Sequence, residues 1–279
     1  MEIIDNTCNM AMKTNENNGN IPMEISKNTH NIALLVEYDG TSFCGWQSQI
    51  NGNSIQDELI KAVYELTGEK VKLNGCSRTD SGVHALGHVS NFISSTKIPI
   101  DKLPIAMNCH LPMEIAVKRA AFVADDFHSR FCTTGKQYRY SIWNEPTRSA
   151  LFWNRVYHAP RPMNVELMGQ AASKMVGTKD FASFMASGSI VKSTTRTLFK
   201  IEIVDNAPMI DLVFHGDGFL YNMVRILAGT LYYVGIGKIS VDDIDYIIRS
   251  KDRRLAGKTL PANGLTLEKV FYGQEIFRV

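Results

Sequence analysis

The spacing of apolar positions divides the chain into elements. In NIALLVEYDG, Ile32, Leu34, Val36 and Tyr38 recur at period two, and Asp39-Gly40 ends the run as a turn does. This alternation predicts a strand from about Asn31 with one face in a core. After the loop TSFCGWQSQINGN the period changes. Ser54 with Asp57 three residues on resembles a capping box, and Ile55, Leu59, Val63 and Leu66 follow at helical spacing as far as Gly68. VKLNG then predicts a strand and VSNFI another, so the stretch GCSRTDSGVHALG falls on a connection between strands. Later, MNVELMGQAASKMVG has helical spacing, while STTRTLFKIEIVD and MIDLVFHGDG predict adjacent strands. FLYNMVRILAGTLYYVGIG predicts a long, mostly apolar helix whose one charge is Arg225. SVDDIDYIIRS opens with a serine cap and two early acids, as helices do, and a strand near LEKVFY closes the chain. Strands in runs broken by single helices predict an α+β protein rather than a doubly wound parallel sheet. We divide it into α/β units over residues 30–125 and 126–279, preceded by an asparagine-rich, aperiodic stretch, 1–29, expected to be a flexible extension without assigned function.

Composition narrows the picture only a little. The chain has 279 residues, 44% hydrophobic and 21% charged, enough for one large core or two smaller ones. A net charge of +2 announces no polyanionic partner, although the distribution of charge still can. Cys8, Cys44, Cys76, Cys109 and Cys132 are scattered without a CxxC pair, which argues for reduced thiols in the cytoplasm over a disulfide framework or thiolate zinc site. No apolar run reaches the roughly 20 residues of a membrane helix, and no secretory signal opens the chain.

Local charge says more. From Lys118 to Arg161 the cations Lys118, Arg119, Arg130, Lys136, Arg139, Arg148, Arg155 and Arg161 outnumber Asp125, Asp126 and Glu145. Phe127, Phe131, Tyr138, Tyr140 and Trp143 are interleaved with them. Cations beside stacking rings are the ingredients of an RNA surface. YRYSIW alternates equally well as a half-buried strand whose rings are core. A second basic run is Arg249, Lys251, Arg253, Arg254 and Lys258.

Candidate chemistry concentrates in GCSRTDSGVHALGHVSNF, where Arg78, Asp80, His84 and His88 are packed around Gly82 and Gly87. Asp80, His84 and His88 recur at four-residue intervals, as metal ligands on one helix face would, but the two glycines disfavour that helix. Cys76 has no evident basic partner to make it a nucleophile. Neither GxGxxG nor a phosphate loop ending in GKS or GKT occurs, and no second acid rivals Asp80 for paired-carboxylate chemistry. Arg225, expensive to bury without an anion, has Asp80 as a candidate partner, with snorkelling as the plain alternative.

RTDSGVHALG resembles the signature of the tRNA pseudouridine synthases of the TruA type. YDGTSFCGWQ, SIQDEL, FHSRF, GKQYRY, DFASF, GFLYNMVRILAG and LAGKTLPANGLTLEKVFY extend the resemblance from Asn31 to the C-terminus. The chain departs from the expected pattern at Cys76-Ser77, where Ala-Gly is usual, and also at Ser81, His88 and Leu260-Pro261-Ala262. The resemblance implies two α/β halves around antiparallel sheet, helices outside, and a cleft between them. It further implies a homodimer with tRNA lying across both subunits, isomerisation of uridine in the anticodon stem-loop at tRNA positions 38 to 40, and no cofactor or metal. Residue by residue, Asp80 matches the essential aspartate and Tyr138 the tyrosine thought to stack on uracil. Arg225 matches the arginine that pairs with the aspartate, Arg78 an arginine associated with flipping the nucleotide, and Leu265 an apolar residue packing against the base. The alternative is an RNA-binding or RNA-folding protein of this fold without turnover.

Overall fold

The computed structural model describes residues 29–50, 52–188 and 191–277, so the extension expected over 1–29 lies, except for its last residue, outside the described residues. β1 (His30–Tyr38) buries Ile32, Leu34, Val36 and Tyr38, the predicted face, and Ala33 on the opposite one. α1 (Ile55–Thr67) starts where expected. Ser54 caps it by accepting the Asp57 N–H at 3.1 Å, and Ile55, Leu59, Ala62 and Val63 form its buried stripe.

The next strand is shorter than VKLNG suggested. β2 is only Asn74–Gly75, because the Leu73 carbonyl is taken at 2.8 Å by the Gln56 side chain of α1. β3 (His84–Ser94) is longer than VSNFI: its first residues already pair, Ala85 with Tyr38 on one side and His84 with Thr266 on the other. Gly87 therefore lies inside a strand, not in the Asp80 loop. α2 (Leu103–Asn108), β4 (Ile115–Val123), β5 (Thr133–Trp143), β6 (Tyr157–His158), α3 (Val165–Met175) and β7 (Gly177–Asp180) follow. β8 (Thr195–Asn206) and β9 (Met209–Gly216) pair as the adjacent strands predicted.

The apolar helix α4 (Met223–Gly235) begins later than the hydrophobic run does. Asn222 sits at φ 58°, a left-handed conformation no helix propagates, so Phe219 to Asn222 form a turn that opens it. In α5 (Asp243–Ser250) the predicted cap is displaced one turn upstream. Ser240 donates its N–H to Asp243 Oδ2 at 3.0 Å and receives that residue's N–H on its carbonyl at 3.1 Å. β10 (Leu265–Tyr272) ends the described fold.

One sheet runs β4-β1-β3-β10-β5-β9-β8-β7, with β2 on β3 and β6 on β5. Its pairings are antiparallel except β10 with β3 and β6 with β5. The fold is α+β. The division expected between residues 125 and 126 falls in the connection from β4 to β5, and β10, arriving from the end of the chain, sits between β3 and β5 at that seam. Among the described residues no helix is long and apolar enough to cross a membrane.

Candidate active site

The Asp80 loop spans β2 to β3 and is held from below. Asp80 O accepts the Val83 N–H at 3.1 Å, closing a turn in which Gly82 takes φ +79°, a value side-chain-bearing residues avoid. The segment after β1 grips the other side. Tyr38 OH and Thr79 Oγ1 are 2.9 Å apart, Trp46 N donates to Thr79 O at 3.1 Å, and Ser81 Oγ donates to Phe43 O at 3.0 Å. Gly45, at φ +107°, lies so close under the loop that a Cβ there would meet Thr79 O at 2.5 Å. YDGTSFCGW is thus the bed on which the aspartate rests.

The histidines support this bed. His88 stacks on Trp46 with centroids 3.6 Å apart and donates from Nε2 to the Ser77 carbonyl at 3.1 Å, which fixes its tautomer. Burial lowers its pKa to about 3, so it is neutral in ordinary buffers. His84 accepts the Gly40 N–H on Nδ1 at 3.1 Å and donates from Nε2 to Asn154 O at 2.8 Å. Neither faces Asp80 as a ligand would, and among the described residues no group of three or more His, Cys, Asp or Glu is placed to hold a metal ion.

Arg225 comes from the first turn of α4. Its Nη1 donates to Asp80 Oδ2 at 3.1 Å and to Asn222 Oδ1 at 2.7 Å, while Nε donates to Leu260 O at 2.7 Å. Three acceptors in the plane of one guanidinium hold it in a single orientation, which a lysine cannot reproduce. The left-handed Asn222 belongs to this arrangement, since its side chain turns back onto Arg225 instead of capping α4.

Tyr138 lies mid-strand on β5, fixed by pairing with Phe214 on β9 and Leu267 on β10. Its ring meets Phe219 edge-on at 5.1 Å, and its hydroxyl is 3.4 Å from Ser77 Oγ. Burial pushes the phenol well above its usual pKa, with the negative charge of Asp80 adding to the effect, so it stays protonated. Leu265, 6% exposed, opens β10. Arg78 is exposed and has no hydrogen bond or ion pair with any described residue.

All five sequence-predicted residues, Asp80, Tyr138, Arg78, Arg225 and Leu265, line one cavity of about 940 Å³. Lys72, Arg130, Lys136 and Arg196 line it too, and Asp80 is the single carboxylate among its described lining residues. The basic runs read from the sequence supply only part of this charge, Arg130 and Lys136. In the two basic runs Lys118 pairs with Glu37, Arg139 with Glu268, Arg155 with Asp39, Lys251 with Asp180 and Arg254 with Asp252. The cleft also collects Lys72, Arg78, Arg196 and Arg225 from outside both runs. Density of charge along the chain could not reveal that. Tyr140 is fully buried core, as the plain reading of YRYSIW had it, while Phe131 stands 64% exposed at the cavity.

A carboxylate clamped by arginine, beside a protonated phenol in a cation-lined cleft, describes an enzyme site suited to an anionic substrate. The family model of the tRNA pseudouridine synthases matches residues 34–132 and 171–273, and the chain belongs to that family. It is 48% identical over 242 residues to tRNA pseudouridine synthase A of Acetivibrio thermocellus, covering 87% of this chain and 99% of that one. The same protein of Thermoanaerobacter sp. is 48% identical, and that of Clostridium acetobutylicum 47%, each over 87% of this chain and 99% of the relative. Among solved structures, a Cbf5-Nop10-Gar1 complex aligns with 86% of this chain and 50% of the matched chain at TM-score 0.37 and 11% identity, too loosely to carry detail across.

Proposed function

We propose that the chain isomerises uridine to pseudouridine in the anticodon stem-loop of tRNA, at positions 38 to 40, as a cytoplasmic homodimer needing no cofactor. The observation that carries the reading is the Asp80–Arg225 contact at 3.1 Å beside Tyr138, in a chain of this family. The reaction breaks the C1′–N1 bond, turns the uracil, forms C1′–C5, releases the C5 proton and protonates N1, so no atoms or electrons are gained or lost overall. Asp80 serves by attacking C1′ or by removing the C2′ proton. Arg225 orients it. Tyr138, with its raised pKa, offers the uracil a ring face and a hydrogen-bond donor more readily than a phenolate base. Arg78, exposed and without a partner among the described residues, takes the space or phosphate left by the flipped nucleotide, and Leu265 packs against the base.

Dimerisation and the choice of stem-loop are supported by the resemblance. The four described cysteines, Cys44, Cys76, Cys109 and Cys132, are free, which accords with a reducing compartment. A protein that only bound or folded RNA would have no use for the arginine clamp on Asp80.

Asp80→Asn decides between them. The variant is expected to lose release of tritium from tRNA labelled at uracil C5 by at least about 10⁴-fold while tRNA binding persists. Full activity in Asp80→Asn sinks the assignment. Mapping pseudouridine in total RNA with and without the protein tests the position.

A further inference from the structure

Lys136 is a cation of the cleft to which the reaction gives no task. It stands two residues before Tyr138 on β5, so both side chains leave the strand on the same face, and both line the cavity. An ammonium half-buried in a cavity wall is ordinarily met by a carboxylate. Lys136 instead shares the cavity wall with Cys76, Arg130 and Arg196, and the charges of both arginines act on it. It has no hydrogen bond or ion pair with any described residue. Burial, reinforced by the two arginines, lowers its pKa.

The flanking cations are not neutralised either. Arg130 rests its guanidinium 5.7 Å from the Phe131 ring centroid, and Arg196 donates from Nη1 to the carbonyls of Ser193 at 3.0 Å and Thr195 at 2.6 Å. Asp80 is committed to Arg225 on another wall. Three cations lining one cavity, whose single carboxylate among the described residues is taken by Arg225, are a standing cost that an incoming anion would relieve. Lysine and arginine offer donors only, so the matching group is acceptor-only, whereas base edges present donors as well. In RNA that group is the phosphodiester.

We propose that Lys136, flanked by Arg130 and Arg196, seats one backbone phosphodiester of the substrate RNA and thereby fixes how deeply the strand enters beside Tyr138. The proposal rests on the tRNA-directed reading above and adds to it a specific contact. Lys136 acts as a positioning residue.

The test uses the full chain and an anticodon-arm hairpin in which single neutral methylphosphonate linkages are walked past the target uridine. Lys136→Met is expected to weaken binding roughly tenfold at moderate salt. It should also reduce the slope of log Kd against log salt by about 0.7 to 0.9, while Lys136→Arg keeps most of both. One methylphosphonate linkage should weaken the wild type about tenfold and leave Lys136→Met no weaker than on unmodified RNA. Thermal unfolding of Lys136→Met should be unchanged or shifted upward, since a partnerless charge has been removed from a desolvated site. A lysine needed only for structure would instead lower the Tm and leave the salt slope and linkage map alone, and that result, or failure of Lys136→Met to fold, overturns the proposal. Arg130→Gln and Arg196→Gln give a second arm: unchanged salt slopes in both also overturn it. If the wild type binds the hairpin without making pseudouridine, the reaction assignment fails while the linkage map still decides the seat. If it isomerises and every linkage loss is independent of Lys136, only the seat fails. No binding by the wild type overturns both.

Discussion

Arg225 and Lys136 are both cations set into apolar surroundings on walls of the same cleft, and they are treated oppositely. Arg225 is engaged by its own protein, with Asp80, Asn222 and Leu260 each accepting from it. Lys136 has no acceptor among the described residues and carries the repulsion of two arginines of the same cavity. A buried cation satisfied by its own protein is doing an internal job, holding a neighbour in place. One left unsatisfied keeps its interactions for something that arrives. The same residue class, in the same cavity, thus separates the fixed part of the site from the part that waits for substrate.

The strongest way to break that comparison is to remove each cation and read stability. Arg225→Met strands Asp80, Asn222 Oδ1 and the Leu260 carbonyl together. It should cost about 2 to 3 kcal/mol in urea unfolding, below the 3–5 kcal/mol of a fully buried pair because the Asp80 side chain keeps 31% of its exposure. Turnover should fall at least about 10²-fold in single-turnover assays, since Asp80 loses its orientation. Lys136→Met, by the argument above, moves stability the other way or not at all. Equal losses in the two variants would erase the distinction.

How much of this the sequence disclosed follows the same line. Regular periodicity made β1, α1, β8 and β9 legible, because burial on one face imposes a period on the residues that carry it. The late start of α4 was hidden, since Phe219, Leu220 and Tyr221 continue the apolar run of the helix and only the left-handed Asn222 separates them from it. The position of β10 between β3 and β5 was equally hidden, since long-range pairing leaves no local trace. In the site, Asp80 and Arg78 stood out as charges clustered around glycines and Arg225 as a charge in an apolar run, while the roles of Tyr138 and Leu265 came from motif resemblance. Lys136 was counted merely as one cation in a run, because what distinguishes it is the absence of a partner in space.

His88, which borders Lys136, sharpens the contrast through pH. Its folded pKa is about 3, against about 6.5 in an unfolded chain. Below pH 6.5 the unfolded chain therefore takes up a proton that the folded chain refuses, and stability falls with falling pH across the window from about 6.5 to about 3. The slope is at most about 1.4 kcal/mol per unit. His88→Gln removes the titration and keeps a donor for the Ser77 carbonyl. At pH 7 it should cost about 1 kcal/mol for the lost stack on Trp46. Between pH 6.5 and 4 the difference from wild type should shrink and then reverse, in parallel urea titrations. A constant difference over that window would mean that His88 titrates normally and that its surroundings, Lys136 included, are wetter than the packing indicates.

The smallest expected effect lies where the two walls nearly touch. Ser77 Oγ is 3.4 Å from Tyr138 OH, at the long edge of hydrogen bonding. Ser77→Ala removes the hydroxyl and leaves the Ser77 carbonyl, hence the His88 contact, in place. If Tyr138 is positioned by its pairing with Phe214 and Leu267, the variant should stay within about 0.5 kcal/mol in stability and about threefold in turnover. A loss of tenfold or more in turnover with unchanged tRNA affinity would transfer that task to the loop. The phenol would then belong with Arg225, held at its tip by a specific contact, rather than being a side chain whose strand alone sets its place.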